Sequence, residues 1–400
     1  MNSEQSRRRR RVVRFAFLGF VLLAFGLSFL SWRSGIGGWG LGIPARPSPT
    51  PTSLPTPTSW PRARLSSPEY GLQASLWWDE KIALRDLELI SDAGFGWVKQ
   101  QVGWRDVEGI VKGSYDWYFT DRIVADAERL GLNLLFRLDR QPVWAMPPQG
   151  AGSGPVEDPQ DFGDFCNRLA ERYRGRVRAY QVWNEPNLAR EWQNRPPYPA
   201  GYVELLRACY IGIKTADPDV LVISAGLSPT GNGPPEAIPD IEYLSAMYEA
   251  GAAPYFDLLG VHAPGFLYPP EASPDEVAEK HSGHRFFCFR HVEDAREVML
   301  RYGDADKQIA VLEMGWTTDP VHPEYAWFAV TEEQKADYLV RAFRYAKENW
   351  SPWIGLMTVI SIADSRWTEE DEQYWWAITD PGWPETSVRP AYEALREMEK

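Results

Sequence analysis

From Tyr70 onward, short strand-like apolar runs alternate with stretches whose apolar residues recur at helical spacing. The runs begin near Tyr70 (YGLQASLWW), Trp97 (WVKQQVGW), Asn133 (NLLFRLD), Val177 (VRAYQVW), Val220 (VLVISAG), Asp257 (DLLGVHA), Gln308 (QIAVLEMGW) and Ile354 (IGLMTVISI). Between them lie amphipathic segments such as ALRDLELISDAG, DRIVADAERLG and FGDFCNRLAERY. Several of these stop on Gly, the usual end signal of a helix. RPAYEALREMEK closes the chain. Eight such units in about 330 residues predict a (β/α)8 TIM barrel with some long loops. A doubly wound open sheet is the competing arrangement, but no G-x-G-x-x-G or P-loop motif follows the first run.

The pattern is different before Tyr70. Phe15 to Trp32 (FAFLGFVLLAFGLSFLSW) carries no charge and follows Arg14 and the arginine block Arg7 to Arg11. A membrane span needs roughly 17–25 apolar residues, whereas a cleaved signal peptide has a core of about 7–15. No clear small-residue cleavage site follows, so an uncleaved single-pass anchor is expected ahead of a signal peptide. Arginines before the span place the N-terminus in the cytoplasm and the main body outside. Next comes IPARPSPTPTSLPTPTSWPRARLSSP, whose Pro, Ser and Thr predict a stiff, extended spacer without a core. The expected organisation is a basic tail (1–14), an anchor (15–32), a linker (33–68) and the barrel (69–400).

Charge follows the same division. Net charge is −13, and residues 1–68 hold ten Arg against one Glu, which leaves −22 for the remainder. An acidic main body argues against nucleic acid and other polyanionic partners. The three cysteines, Cys166, Cys209 and Cys288, lie far apart in helical segments. That spacing leaves room for one bridge but reads better as three buried thiols, and it is no metal motif.

Candidate chemistry sits at the ends of the runs, because barrel sites are built on the loops that follow the strands. The fourth ends in Trp183-Asn184-Glu185-Pro186, and the proline forbids the strand from continuing. The seventh ends in Leu312-Glu313-Met314-Gly315-Trp316. Two carboxylates facing each other across a barrel mouth are what glycosidic bond cleavage requires. One protonates the leaving oxygen, and for that its pKa must be raised, in part by the like charge nearby.

These motifs resemble the clan A retaining glycoside hydrolases, in flavours similar to families five and thirty-nine. N-E-P after strand four and a glutamate ending strand seven match their two catalytic positions. The likeness runs over nearly all of Tyr70 to Lys400. VKQQVGWRDVEGIVKGSYDWYFTDRIVADAERLGLNLLF is similar to their second-strand block, and WAITDPGWPETSVRPAYEAL to their closing segment. The resemblance implies that Glu185 is the acid/base, that Glu313 is the nucleophile, and that Asn184 holds the substrate 2-hydroxyl. It places His262 near the nucleophile. Lys99 stands where the second strand commonly has Arg, Ala263-Pro264 replaces the usual Pro-Tyr, and Arg137 with Asp139 occupies the rim of strand three. Lys99 reads either as a substrate contact or as a rim ion pair with Glu313 or Asp139.

Nineteen tryptophans raise the question of sugar stacking, against the plainer reading of a heavy core. Trp104, Trp144, Trp316 and Trp367, with Trp375 and Trp376, fall at or beyond run ends and are the candidates for substrate contact. The loop RWTEEDEQYWW reads as a substrate-lining or simply a solvated segment. His281, His284, Cys288 and His291 lack the paired spacing of a zinc site and read as a loop entering a helix. No metal or organic cofactor is expected. The predicted protein is an extracytoplasmic, membrane-tethered glycosidase acting by retention on β-linked oligo- or polysaccharides, or a transglycosylase variant of it. The alternative is a non-catalytic carbohydrate-binding barrel on the cell surface.

Overall fold

Eight strands pair in parallel in chain order and close into a barrel through β8 and β1. They are β1 (Glu69–Gln73), β2 (Trp97–Gly103), β3 (Asn133–Asp139), β4 (Ala179–Val182), β5 (Leu221–Ile223), β6 (Leu258–Pro264), β7 (Gln308–Gly315) and β8 (Ile354–Val359). Each is followed by a helix of the outer ring. These are α1 (Glu80–Asp92), α2 (Tyr118–Arg129), α3 (Pro159–Arg172), α4 (Pro199–Ala216), α5 (Asp240–Glu249), α6 (Val292–Arg301), α7 (Glu332–Asn349) and α8 (Pro390–Glu397). This is the expected TIM barrel. The computed structural model describes residues 60, 64–148, 150 and 152–400. The arginine block, the apolar segment Phe15 to Trp32 and most of the proline-rich linker lie outside the described residues. Among the described residues, no helix is long and apolar enough to cross a membrane.

The helices begin where local chemistry starts them. Asp79 caps α1 by accepting from the amides of Lys81 and Ile82. Asp158 caps α3 ahead of Pro159, and Thr331 with Gln334 forms a capping box on α7. Gly131, at φ 69°, turns the chain out of α2 in a conformation costly to any residue with a Cβ.

Inside the barrel, Trp97, Leu135, Ala179, Leu221, Ile223, Leu258, Ala310, Leu312 and Leu356 form one apolar layer. Leu65 joins this layer, and its backbone exchanges bonds of 2.9 and 3.0 Å with the Gln308 amide. The folded body thus starts before Glu69, because the last linker residues plug the foot of the barrel. Above the apolar layer, the next inward residues are polar: Lys99, Gln101, Arg137, Asp139, Gln181 and His262. Period-two alternation along each strand carries the wall from one layer to the other.

Two departures from regular strand geometry aim the rim. In β7, Val311 pairs with Val261 but Glu313 pairs with His262, so Leu312 is an extra residue. The same slip occurs against β8, where Val311 pairs with Met357 and Met314 with Val359. Ile309 and Val311 face the helices while Ala310 and Leu312 face the interior. Plain alternation would therefore send Glu313 outward; the bulge turns it inward. The second departure is at β4, which ends at Val182, before the proline predicted to stop it. Trp183 (φ 72°) and Glu185 (φ 41°) already leave the strand conformation, an uncommon state for non-glycine residues.

The reading of three free thiols is overturned: Cys166 on α3 and Cys209 on α4 form a disulfide, and Cys288 alone is free and buried. Two glycines allow it. A Cβ on Gly212 would lie 2.3 Å from the Gly163 carbonyl oxygen, and one on Gly163 2.9 Å from that of Ala208. Helices that close bring the cysteine Cα atoms to 5.3 Å. Unfolded without reductant, the chain is expected to expose one thiol to a colorimetric reagent, and three after reduction. Three thiols before reduction would contradict the bridge. Reduction is expected to lower unfolding stability by about 4 kcal/mol in the loop-entropy model for this spacing, measured by denaturant titration.

Candidate active site

Glu185 leaves β4 on left-handed backbone and is pinned there by its amide, which donates to the Gly226 carbonyl at 3.0 Å. A Cβ on Gly226 would strike the His262 ring at 2.2 Å, so only glycine lets that imidazole reach the rim. His262 is the hinge of the site. Its Nδ1 lies 3.0 Å from Glu185 Oε1 and 3.8 Å from Glu313 Oε2. Those two oxygens are therefore no more than about 7 Å apart, and closer unless the three atoms are collinear. The imidazole Nε2 is buried and finds no partner among the described residues.

The two carboxylates stand in different electrostatic settings. Glu313 Oε1 receives Lys99 Nζ at 2.9 Å and Arg137 Nη1 at 3.3 Å. Burial pushes its acid up, but the charges of Lys99, His262 and Arg137 prevail and hold it well below the usual carboxylate range. Burial also pulls Lys99 down to about 8, against the restoring pull of Glu313. Glu185 bonds His262 on one oxygen and Arg190 Nη2, at 2.9 Å, on the other. Burial raises this group too, and the negative Glu313 adds to that. The hydrogen bond and charge of His262, with Arg190, outweigh both, and the net displacement is downward. A raised Glu185 was expected from its like-charged neighbour; the cations that share the rim reverse the sign.

Asn184 accepts from Arg137 Nη1 at 3.2 Å through Oδ1, which leaves its Nδ2 to donate toward the cleft. Lys99, read as either a substrate contact or a rim ion pair, is 2% exposed and gives its hydrogen bonds to Glu313 and, at 3.0 Å, to the Leu312 carbonyl, the ion-pair arrangement. It acts on the carboxylate. Arg137 is similarly fixed, 3.0 Å from Asp139.

The carboxylates open into a cleft with two lobes of about 600 and 410 Å³, joined along Gln73, Arg137, Trp367 and Gln373. The larger lobe holds both glutamates, Asn184, His262 and Arg190. The smaller one runs over Lys99 toward Trp78.

Of the tryptophans expected at the cleft, Trp367 lines both lobes and Trp376 the larger. Four do not reach it. Trp104 is fully buried among Phe162, Phe165 and Trp144, with its ring N–H on Glu108. Alternation from inward Trp97 and Lys99 sends it outward. Trp144 packs edge-on against Trp104 and donates to the Glu108 carbonyl. Trp316 is fully buried over Gly265, because the β7 bulge that turns Glu313 in turns Trp316 out. Trp375 lies off the cleft lining and donates to the Glu369 carbonyl.

Sequence reasoning missed Arg190, five residues past Glu185 with nothing local to mark it. It also missed the exposed rings of Trp78 and Trp327, each on the lining of one lobe. The histidine-cysteine cluster comes apart. His281 meets the Tyr268 hydroxyl, Cys288 the Arg285 carbonyl, and His291 lies between Asp240 and Asp294. Among the described residues no three metal-ligating side chains converge.

No protein-family model matches this chain, and neither does any curated protein. Solved structures do. A family 39 glycoside hydrolase from the gut symbiont Bacteroides cellulosilyticus aligns at TM-score 0.59 and 20% identity, covering 82% of this chain and 63% of that one. A glucosidase from Croceicoccus marinus aligns at 0.57 and 13%, covering 84% and 68%. A triple variant of an endo-beta-1,4-glucanase from Xanthomonas axonopodis pv. citri aligns at 0.56 and 14%, covering 82% and 98%. The chain spans 63% of the length of the first of these. What the likenesses establish is a shared eight-stranded parallel barrel with flanking helices.

Proposed function

We propose that this protein is a retaining glycoside hydrolase acting on oligo- or polysaccharides, with β-linked substrates favoured. The observation that carries the reading is the pair Glu185 and Glu313, bridged by His262 in a cleft at the carboxyl ends of the strands. A bound of about 7 Å on their facing oxygens suits the roughly 5–5.5 Å of a retaining pair better than the wider inverting spacing. The names borne by the structural neighbours, a glycoside hydrolase, a glucosidase and an endo-beta-1,4-glucanase, support the same reaction class. The joined lobes support a chain substrate with sugars on both sides of the scissile bond.

In this reading Glu313, kept ionised by Lys99 and Arg137, attacks the anomeric carbon. Glu185 gives its proton to the departing oxygen, which retains the electron pair of the broken bond. Glu185 then removes a proton from water, and the water oxygen displaces the Glu313 ester with a second inversion. Asn184 Nδ2 donates to the 2-hydroxyl, a contact that strengthens as charge develops on the sugar. We further propose that the barrel works outside the cytoplasm, tethered through Phe15 to Trp32. The Cys166–Cys209 bridge supports an oxidising compartment.

Assay on a panel of aryl β-glycosides tests the reading. Glu313→Gln is expected to lose on the order of 10³-fold or more in kcat while still binding oligosaccharide. Glu185→Ala is expected to lose little in kcat/KM on a dinitrophenyl glycoside, whose leaving group departs unprotonated, and about 10²–10⁴-fold on a sugar leaving group. Its kcat on the dinitrophenyl glycoside should fall, because the ester then lacks the base that activates water. A wild-type protein that binds glycans but cleaves none is instead a surface binding barrel.

The role of Lys99 has its own readout. Activity that needs ionised Glu313 is present above that group's pKa and lost as pH falls through it. Lys99→Met is expected to move the acidic limb of the pH–rate profile upward by about one to three pH units. An unmoved limb would show that Lys99 does not set the charge of Glu313.

A further inference from the structure

Glu185 has two jobs in the proposed reaction, and they need opposite protonation states. It must carry a proton when the leaving oxygen departs, and it must be a carboxylate when water attacks. The groups around it are not equally able to change between those moments. From β6 comes His262, 5% exposed; from β7, Glu313; from β2 and β3, Lys99 and Arg137, both locked onto Glu313. Glu191 of the same loop and Tyr325 beyond β7 stand nearby. Glu313 loses its charge when the ester forms, and among the described side chains that bond either glutamate, His262, Lys99 and Arg137 sit on strands of the frame while Arg190 does not. Its side chain is 66% exposed, reaches Glu185 Oε2 at 2.9 Å from a single turn of 3-10 helix, and lines only the larger lobe.

Position decides what would disturb it. The sugar that forms the ester must lie over Glu313, which lines the larger lobe with Glu185, on the side where Arg137, shared by both lobes, and Lys99 open into the smaller lobe. The departing sugar therefore occupies the larger lobe beside Glu185, where Arg190 now rests.

Building on the hydrolase reading, we propose that Arg190 is a positioning residue that switches Glu185 between its two roles. A sugar in the leaving-group subsite displaces the guanidinium from Oε2, and the carboxyl is then free to hold the proton it delivers to the glycosidic oxygen. Once that sugar has left, Arg190 closes back onto Oε2 and stabilises the carboxylate that accepts a proton from water. The guanidinium itself exchanges no proton; it only favours or releases the anion.

The test compares two pH profiles on a substrate with a sugar leaving group, because kcat/KM reports the free enzyme and kcat the occupied one. In the wild type, with bond cleavage limiting, the basic limb of kcat/KM should lie below that of kcat, since Arg190 sits on Glu185 in the free enzyme and is displaced in the substrate complex. In Arg190→Gln the kcat/KM limb should rise by about one pH unit to meet an unchanged kcat limb. Arg190→Lys should restore part of the separation. Loss of structural support alone would lower both rates without bringing the limbs together. Turnover in which the limbs of kcat/KM coincide in wild type and Arg190→Gln overturns the role given to Arg190 and leaves the hydrolase reading standing. A wild type that cleaves no glycoside overturns that reading and, with it, the switch.

Discussion

One extra residue in β7 decides what this barrel can do. Ile309 and Val311 point into the helical layer, and a regular strand would have sent Glu313 after them. There its charge would sit among the apolar side chains between strands and helices, at a desolvation cost of several kcal/mol. Because Leu312 is inserted in the pairing with both β6 and β8, the acid turns inward and meets Lys99 at 2.9 Å. Lys99 is in turn tolerable in the throat only because Glu313 arrives: a buried ammonium without a partner is as costly as a buried carboxylate. The bulge and the ion pair are two halves of one constraint.

Around that pair the throat becomes a small cationic enclosure inside an acidic protein. Lys99, Arg137 and Arg190 surround Glu313 and Glu185, while the chain as a whole carries −13. Depth separates permanent contacts from adjustable ones. Lys99 is shut in at 2% exposure on a strand of the frame, whereas Arg190 is 66% exposed on a loop turn. In the proposed cycle Glu313 must be ionised each time it attacks, whereas Glu185 must alternate between acid and carboxylate. The structure puts the rigid cation on Glu313 and the loose one on Glu185.

Much of this was legible in the chain, and the failures share a cause. Alternating apolar runs and amphipathic helices gave the eight units in order, and the rule that barrel chemistry sits at strand ends singled out Glu185 and Glu313. Asn184 and Trp367 also line the cleft as expected. Trp104 was misplaced where simple alternation from Lys99 would have rejected it. Trp316 was misplaced because a bulge reverses parity, and no residue type announces a bulge. The strand before Glu185 ends on backbone angles at Trp183, not on Pro186, and such angles have no signature in an aromatic residue. The disulfide escaped because its cysteines are 43 residues apart on separate helices, joined through a close approach that only packed glycines disclose. Arg190 and Trp327 reach the site from loops, where sequence spacing carries no directional information.

The account stands on Glu313 being the atom donor that bonds the sugar. Brief incubation with a panel of activated 2-deoxy-2-fluoro β-glycosides, whose second step is slowed, should trap that bond for mass spectrometry of proteolytic peptides. The account predicts one glycosyl adduct, carried by Glu313, and none in the Lys99-intact Glu313→Gln protein. An adduct on Glu185, or turnover whose first product has the opposite anomeric configuration to the substrate, would contradict it.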